Sequence, residues 1–150
     1  MVNIMSDIEY TLVFLKPSAI ERGLIGEIIS RFERKGLEVV SIKTCIMNRD
    51  EAEDFYSIHR GKHFFNNLIN TISGRKIVAI VLKGRSAINV VRNMIGATDP
   101  IKAGPGTIRG DYGLDITDNL IHASDSVKSF NREVSILFPE LELEGASTDP

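Results

Sequence analysis

Apolar positions along the chain change period several times, and each change marks an element. Tyr10–Leu15 is an unbroken apolar, β-rich run that predicts a buried strand, ended by Lys16-Pro17. Ser18 and Glu21 have the spacing of a capping box. Ile25, Ile28, Ile29 and Phe32 then recur at helical spacing, and Gly36 stops that helix behind Arg34 and Lys35. Leu37–Met47 alternates as a half-buried strand does. Asp50 with Glu53 opens a short helix carrying Ala52, Phe55 and Tyr56, broken at Gly61. A second helix buries Phe65, Leu68, Ile69 and Ile72.

Arg75–Leu82 is the next buried strand. Ser86 caps a helix burying Ala87, Val90, Val91 and Met94, closed by Gly96. Ala97–Asp111 has two prolines and three glycines with no periodicity, a long loop of the kind compact domains reserve for function. Asn119–His122 reads as a short strand. Ser126–Phe138 reads as a last helix with Val127, Phe130, Val134 and Leu137 inward, stopped by Pro139. Strands alternating with helices give an α/β or α+β class. Pattern alone leans to a parallel, doubly wound sheet. A ferredoxin-like arrangement fits the same order if the two middle helices are an insertion.

The 150 residues suit one domain, residues 1–150, with a core over about 10–138 and a tail at 139–150. A net charge of -2 gives no support for general nucleic-acid binding, which shows a basic excess. The single Cys45 cannot form an internal disulfide, which suits a reducing compartment. No signal peptide is visible, and the apolar run Ile77–Leu82 is far too short to span a bilayer. A cytoplasmic enzyme or binding protein is expected.

No phosphate loop, dinucleotide fingerprint or protein-built zinc pattern is present. What remains is a scattered set. Lys16 ends a strand before a helix N-terminus, a good place for an anion. Arg92, Thr98 and Arg109 surround the long loop, and Asn119 and His122 flank the short strand. Fixed cations with several donors are what phosphate oxygens require. Each has a plainer reading as a solvated strand end, a helix C-terminal charge or a loop charge. His59 reads as a partly buried histidine beside Phe55 and Tyr56, and His63 as a surface residue. Phe64 sits at the edge of its helix's apolar stripe, either partly buried or free to stack on a base. Ser126, Ser129 and Glu133 share one helix face, so Glu133 is either solvated or turned back toward His122. A carboxylate on one imidazole nitrogen would fix the tautomer and leave the other nitrogen free to attack.

The segment Asn119-Leu-Ile-His122-Ala-Ser124-Asp125 resembles the active-site signature of nucleoside diphosphate kinases, N-x-x-H-[GA]-S-D. Lys16-Pro17, Arg22-Gly23 to Glu27, and Arg31 to Gly36 resemble that family's first strand and helix. Tyr56, His59 and Phe64-Phe65 resemble its helical hairpin. Gly96 to Pro100 and Pro105 to Tyr112 resemble its long loop, and Ser126, Ser129 and Glu133 its last helix. The resemblance implies a ferredoxin-like βαββαβ fold with an antiparallel four-stranded sheet and a helical-hairpin insertion. It implies γ-phosphoryl transfer from a nucleoside triphosphate to a diphosphate, by a ping-pong route through phospho-His122, with broad base specificity. His122 would attack through Nδ1, oriented by Glu133 and Ser124. Lys16, Tyr56, Arg92, Thr98, Arg109 and Asn119 would hold phosphates and ribose, with Phe64 stacked on the base. Mg²⁺ would bridge phosphate oxygens and reach protein only through water near Asp125. A homo-oligomer is implied, a hexamer before a tetramer. The chain departs from the family pattern at Ser18-Ala19, where Asp-Gly is common, and at Thr117, where glycine is common.

Overall fold

The computed structural model describes residues 7–143; residues 144–150 of the expected tail lie outside the described residues. The elements run β1 (Ile8–Leu15), α1 (Pro17–Glu21), α2 (Ile25–Lys35), β2 (Glu38–Ile46), α3 (Arg49–Phe55), α4 (Phe65–Ile72), β3 (Lys76–Arg85), α5 (Ala87–Ile95), α6 (Ile108–Tyr112), β4 (Ile121–Ala123) and α7 (Val127–Leu137), with a 3-10 turn at Ser57–His59. The sheet has the order β2-β3-β1-β4. Every neighbouring pair is antiparallel, with Phe14 opposite both Ala79 and His122. This is the ferredoxin-like βαββαβ order, with α3 and α4 inserted between β2 and β3.

The lean toward a parallel sheet is corrected, and the cause is physical. Continuous apolar strands mean two covered faces, and an antiparallel sheet covered on both faces has the same signature. One face packs Val13, Leu15, Val78 and Ile80 against Ile28 and Phe32 of α2 and Val91 of α5. The other packs Leu12, Phe14, Ile77 and Ala79 against Phe55, Ile69, Phe130 and Leu137 of α3, α4 and α7.

Several local expectations are also revised. Ser18 lies inside α1, whose N-cap is Lys16 without a side-chain cap. Its hydroxyl instead donates to Asp118 Oδ1 at 2.6 Å. The helix α3 is opened by a capping box of Asn48 and Glu51 rather than by Asp50 and Glu53. Ser86 does occupy the N-cap of α5, but in a left-handed conformation (φ 49°) and without a side-chain cap. Glu9 Oε1, reaching across from β1, accepts the Ile88 N–H at 3.2 Å in its place. The long loop is interrupted by α6, capped by Thr107. His59 sits on the 3-10 turn rather than on α3, and Val127 in the first turn of α7 is 38% exposed.

Candidate active site

β4 is short and is entered through an unusual bend. Leu120 has φ 75°, and the Ile121 N–H donates to the Asn119 carbonyl at 2.9 Å. An i to i+2 hydrogen bond around a residue with positive φ is the strained form of the γ-turn. Such strain persists only where the surroundings over-determine it. Here they do. The Leu120 side chain is buried, and its carbonyl accepts the Lys16 N–H at 2.8 Å. Arg109 Nη2 donates to Ile121 O at 2.7 Å, and its Nε to Asn119 O at 3.3 Å.

Two residues beyond the bend, His122 enters an aromatic box. Its ring stacks on Phe14 (5.1 Å between centroids) and meets Phe55 and Tyr56 edge-on at 4.9 and 5.7 Å. Nε2 lies 3.0 Å from Glu133 Oε1, a short contact whose N–H direction is not aligned as a hydrogen bond. Ser124 donates to the same carboxylate oxygen at 2.7 Å. Arg132 Nη2 stands 3.6 Å from the other one. Glu133 is 2% exposed, so the solvated-glutamate reading does not hold. Nδ1 takes no part in the Glu133 contact.

A cavity of about 660 Å³ opens above the ring, within the usual range for a small-molecule site. Its lining brings together Lys16, Tyr56, Phe64, Arg92, Thr98 and Arg109 with Asn119, His122, Asp125 and Glu133. Ser124 lies behind Glu133, outside the lining. The nominated cations differ in setting. Lys16 is 3% exposed and donates to Asn119 Oδ1 at 2.9 Å and Thr117 O at 3.3 Å. Burial, then the Arg109 charge, pull its ammonium down to about 8, against the pull of Asp118 and Asp115. Arg109 is also buried, and burial and Arg92 lower it to about 10. Arg92 is exposed and donates to Ala123 O at 3.4 Å. Asn119 Nδ2 in turn donates to Thr98 O at 2.9 Å, so one side chain links Lys16 to the segment after α5.

Phe64 is half-buried and sits at the N-cap of α4, one residue before the helix rather than on its face. His59 lies 5.4 Å from it, with Nδ1 3.2 Å from Lys62 Nζ, and lines the same cavity. His63 is exposed, as expected of it. Thr117 lines the cavity through ordinary backbone, with none of the positive φ that would call for glycine. Sequence reasoning passed over Arg132, Ile58 and Ile116. The first looks like any solvated helix charge. The other two carry a signal in retrospect, branched apolar side chains in polar segments that stay 56% and 57% exposed at the cavity.

The family model described as nucleoside diphosphate kinase matches residues 9–143. The nucleoside diphosphate kinase of Hyperthermus butylicus is 54% identical over 138 residues, 92% of this chain and 97% of that one. The enzyme of Pyrococcus furiosus is 55% identical over 142 residues, 93% and 88% of the two chains. Among solved structures, the Halobacterium salinarum nucleoside diphosphate kinase in complex with CDP superposes with a TM-score of 0.86 at 40% identity, covering 91% of this chain and 93% of that one. A transition-state mimic of the Borrelia burgdorferi enzyme with vanadate and ADP gives a TM-score of 0.83 at 35% identity, covering 93% and 94%. This chain belongs to the nucleoside diphosphate kinase family of nucleotide phosphotransferases.

Proposed function

We propose that this protein transfers the γ-phosphoryl group of a nucleoside triphosphate to a nucleoside diphosphate in two half-reactions through phospho-His122. The observation that carries the reading is the pairing of His122 Nε2 with Glu133 Oε1 at 3.0 Å on the wall of a cavity lined by Lys16, Arg92 and Arg109. With the Nε2 edge of the ring held against the carboxylate, the Nδ1 lone pair is the nucleophile. It attacks phosphorus in line, the P–O bond to the leaving diphosphate breaks, and that oxygen departs with the bonding electrons. The second diphosphate reverses the step. Glu133, itself held by Ser124, stabilises the imidazolium character that develops on the ring. Phosphoryl transfer asks for positioning and charge compensation more than for covalent chemistry, and the three cations with Tyr56, Thr98 and Asn119 supply both.

Phe64 offers a face on which any base can stack without base-edge hydrogen bonds, which favours broad specificity. Mg²⁺ fits as a companion of the nucleotide. Among the described residues no group of three or more His, Cys, Asp or Glu is arranged to hold a metal ion. Asp125 lines the cavity as a carboxylate held low by the Ser129 hydroxyl, suited to contact through water. When bound, the ion neutralises phosphate oxygens. We infer further that residues 1–150 act as one domain in the cytoplasm, and as a homo-oligomer, a hexamer before a tetramer. Among the described residues no helix is long and apolar enough to cross a membrane.

Incubation with γ-labelled ATP and Mg²⁺ is expected to give an acid-labile, base-stable phosphoenzyme, discharged alike by GDP, CDP and UDP. His122→Ala is expected to abolish the label. Equal labelling of that variant would defeat the assignment.

A further inference from the structure

Against the 104–113 segment, Arg31 of α2 is engaged at every nitrogen. Nη2 meets Asp111 Oδ2 at 2.7 Å and the Tyr112 hydroxyl at 3.4 Å. Nη1 donates to Gly106 O at 3.3 Å, and Nε to Glu27 Oε2 at 3.0 Å. The guanidinium also lies over the Tyr112 ring, 5.1 Å from its centroid. The contacts close on themselves: the Gly106 N–H donates to Asp111 Oδ1 at 2.8 Å, and the Tyr112 hydroxyl to Glu27 at 3.0 Å. A helix remote from the chemistry thus grips both ends of α6. A bare five-residue helix needs such external fixing.

The residue that α6 carries inward is Arg109. Its three nitrogens donate to Gly96 O, Asn119 O and Ile121 O. The last two are the ends of the strained turn that delivers His122. We propose that Arg31 is a positioning residue for the phosphoryl-transfer site: through Asp111 and Gly106 it fixes α6, hence Arg109, hence the turn at Leu120 that aims Asn119 and His122 into the cavity. A displacement of α6 would move the guanidinium and free a bend that the backbone does not favour unaided. The proposal rests on the phosphotransfer reading of Arg109 and His122.

The test compares Arg31→Ala, Arg31→Lys and Arg75→Ala in the full chain. Arg75 makes an equally short but more exposed pair, 2.7 Å to Glu21 at the far end of α1 from Lys16. Arg31→Ala is expected to lower kcat/KM by roughly ten- to a hundredfold, as small misplacements of reacting groups do, with kcat carrying most of the loss. Arg31→Lys keeps the charge but not the fork and should recover part of it. Arg75→Ala, which removes a solvent-exposed pair, should leave kcat/KM unchanged. Decisively, in an Arg109→Ala background the further change Arg31→Ala should cost little, because the two act in series. A full penalty in that background overturns the proposal. So does an unchanged kcat/KM for Arg31→Ala, or a loss that only tracks a fall in native mass. Arg109→Ala alone retaining parent activity would instead sink the phosphate reading, so the two failures are told apart.

Discussion

Lys16 is a cation buried at 3% exposure, hydrogen-bonded to neutral oxygens with the Arg109 charge near it, and the carboxylates of Asp118 and Asp115 do not offset that burial. Its protonated form therefore costs free energy in the empty site, and it loses its proton near pH 8 rather than near the ordinary lysine value. On the proposed function, phosphate binding needs the proton on. Nucleotide affinity and kcat/KM are expected to fall as pH rises through about 8. kcat at saturation should hold to higher pH, because bound phosphates favour the charged ammonium. Folding stability moves the other way. Between about 8 and the unfolded lysine value near 10.4, the unfolded chain holds more protons than the folded one, so this group's contribution to stability rises with pH. Falling affinity beside a steady or rising thermal midpoint is thus the signature. It would be checked by titrating ADP binding from about pH 7 to about pH 9.5. A flat affinity, or the same alkaline limb in Lys16→Arg, would remove Lys16 as its source.

At the scale of elements, α6 shows how much depends on a glycine without a special φ. A Cβ on Gly110 would lie 2.0 Å from the Gly104 carbonyl oxygen and 2.8 Å from Thr107 Oγ1. Backbone on one side and the helix's own cap on the other leave nothing flexible to yield. Gly110→Ala is expected to destabilise the protein by about 1–3 kcal/mol, as overpacking does, and to lower activity by displacing Arg109. Gly26, in the first turn of α2 with nothing within 4 Å of its Cβ position, gives the contrast. Gly26→Ala should stabilise by at most about 0.5–1 kcal/mol, the helix-interior value, and leave kcat/KM alone. Chemical denaturation reads both, and equal effects from the two changes would refute the packing account.

The helices and strands with clear periods were legible in the sequence within a residue or two, as α2, β1 and α7 illustrate. α6 was not. Five residues carry no periodicity, and the helix is held by contacts to Arg31 that are 75 to 81 residues away in sequence. The same holds for the caps at Glu9 and for the bend at Leu120. A leucine with positive φ announces nothing locally. The nominated site residues were more legible because they recur as ordered motifs, and the fold brings most of them to one cavity. Spacing alone placed Glu133 on a face that could meet His122 but could not choose between that contact and solvent.

For the whole molecule, the described surface leaves two apolar regions uncovered. β2 is an edge strand and exposes Ile42 at 46% and Ile46 at 60%. Lys43, the charge that would blunt this edge, is drawn off to Glu140 and the Phe138 ring. Separately, the segment between α5 and β4 exposes Ile101 and Leu114 at 84% and 83%. Two copies pairing antiparallel along β2 would be related by a two-fold axis, and such a contact closes at two. A larger closed assembly needs a second kind of contact, and the Ile101 and Leu114 region is the available surface. A hexamer forms if that second contact is three-fold. Ile46→Lys should then leave trimers and Leu114→Lys should leave dimers. In a tetramer both contacts are two-fold, and either change leaves dimers. Native mass spectrometry of the parent and both variants separates these outcomes. A monomeric parent at working concentration would show that neither surface mediates self-assembly.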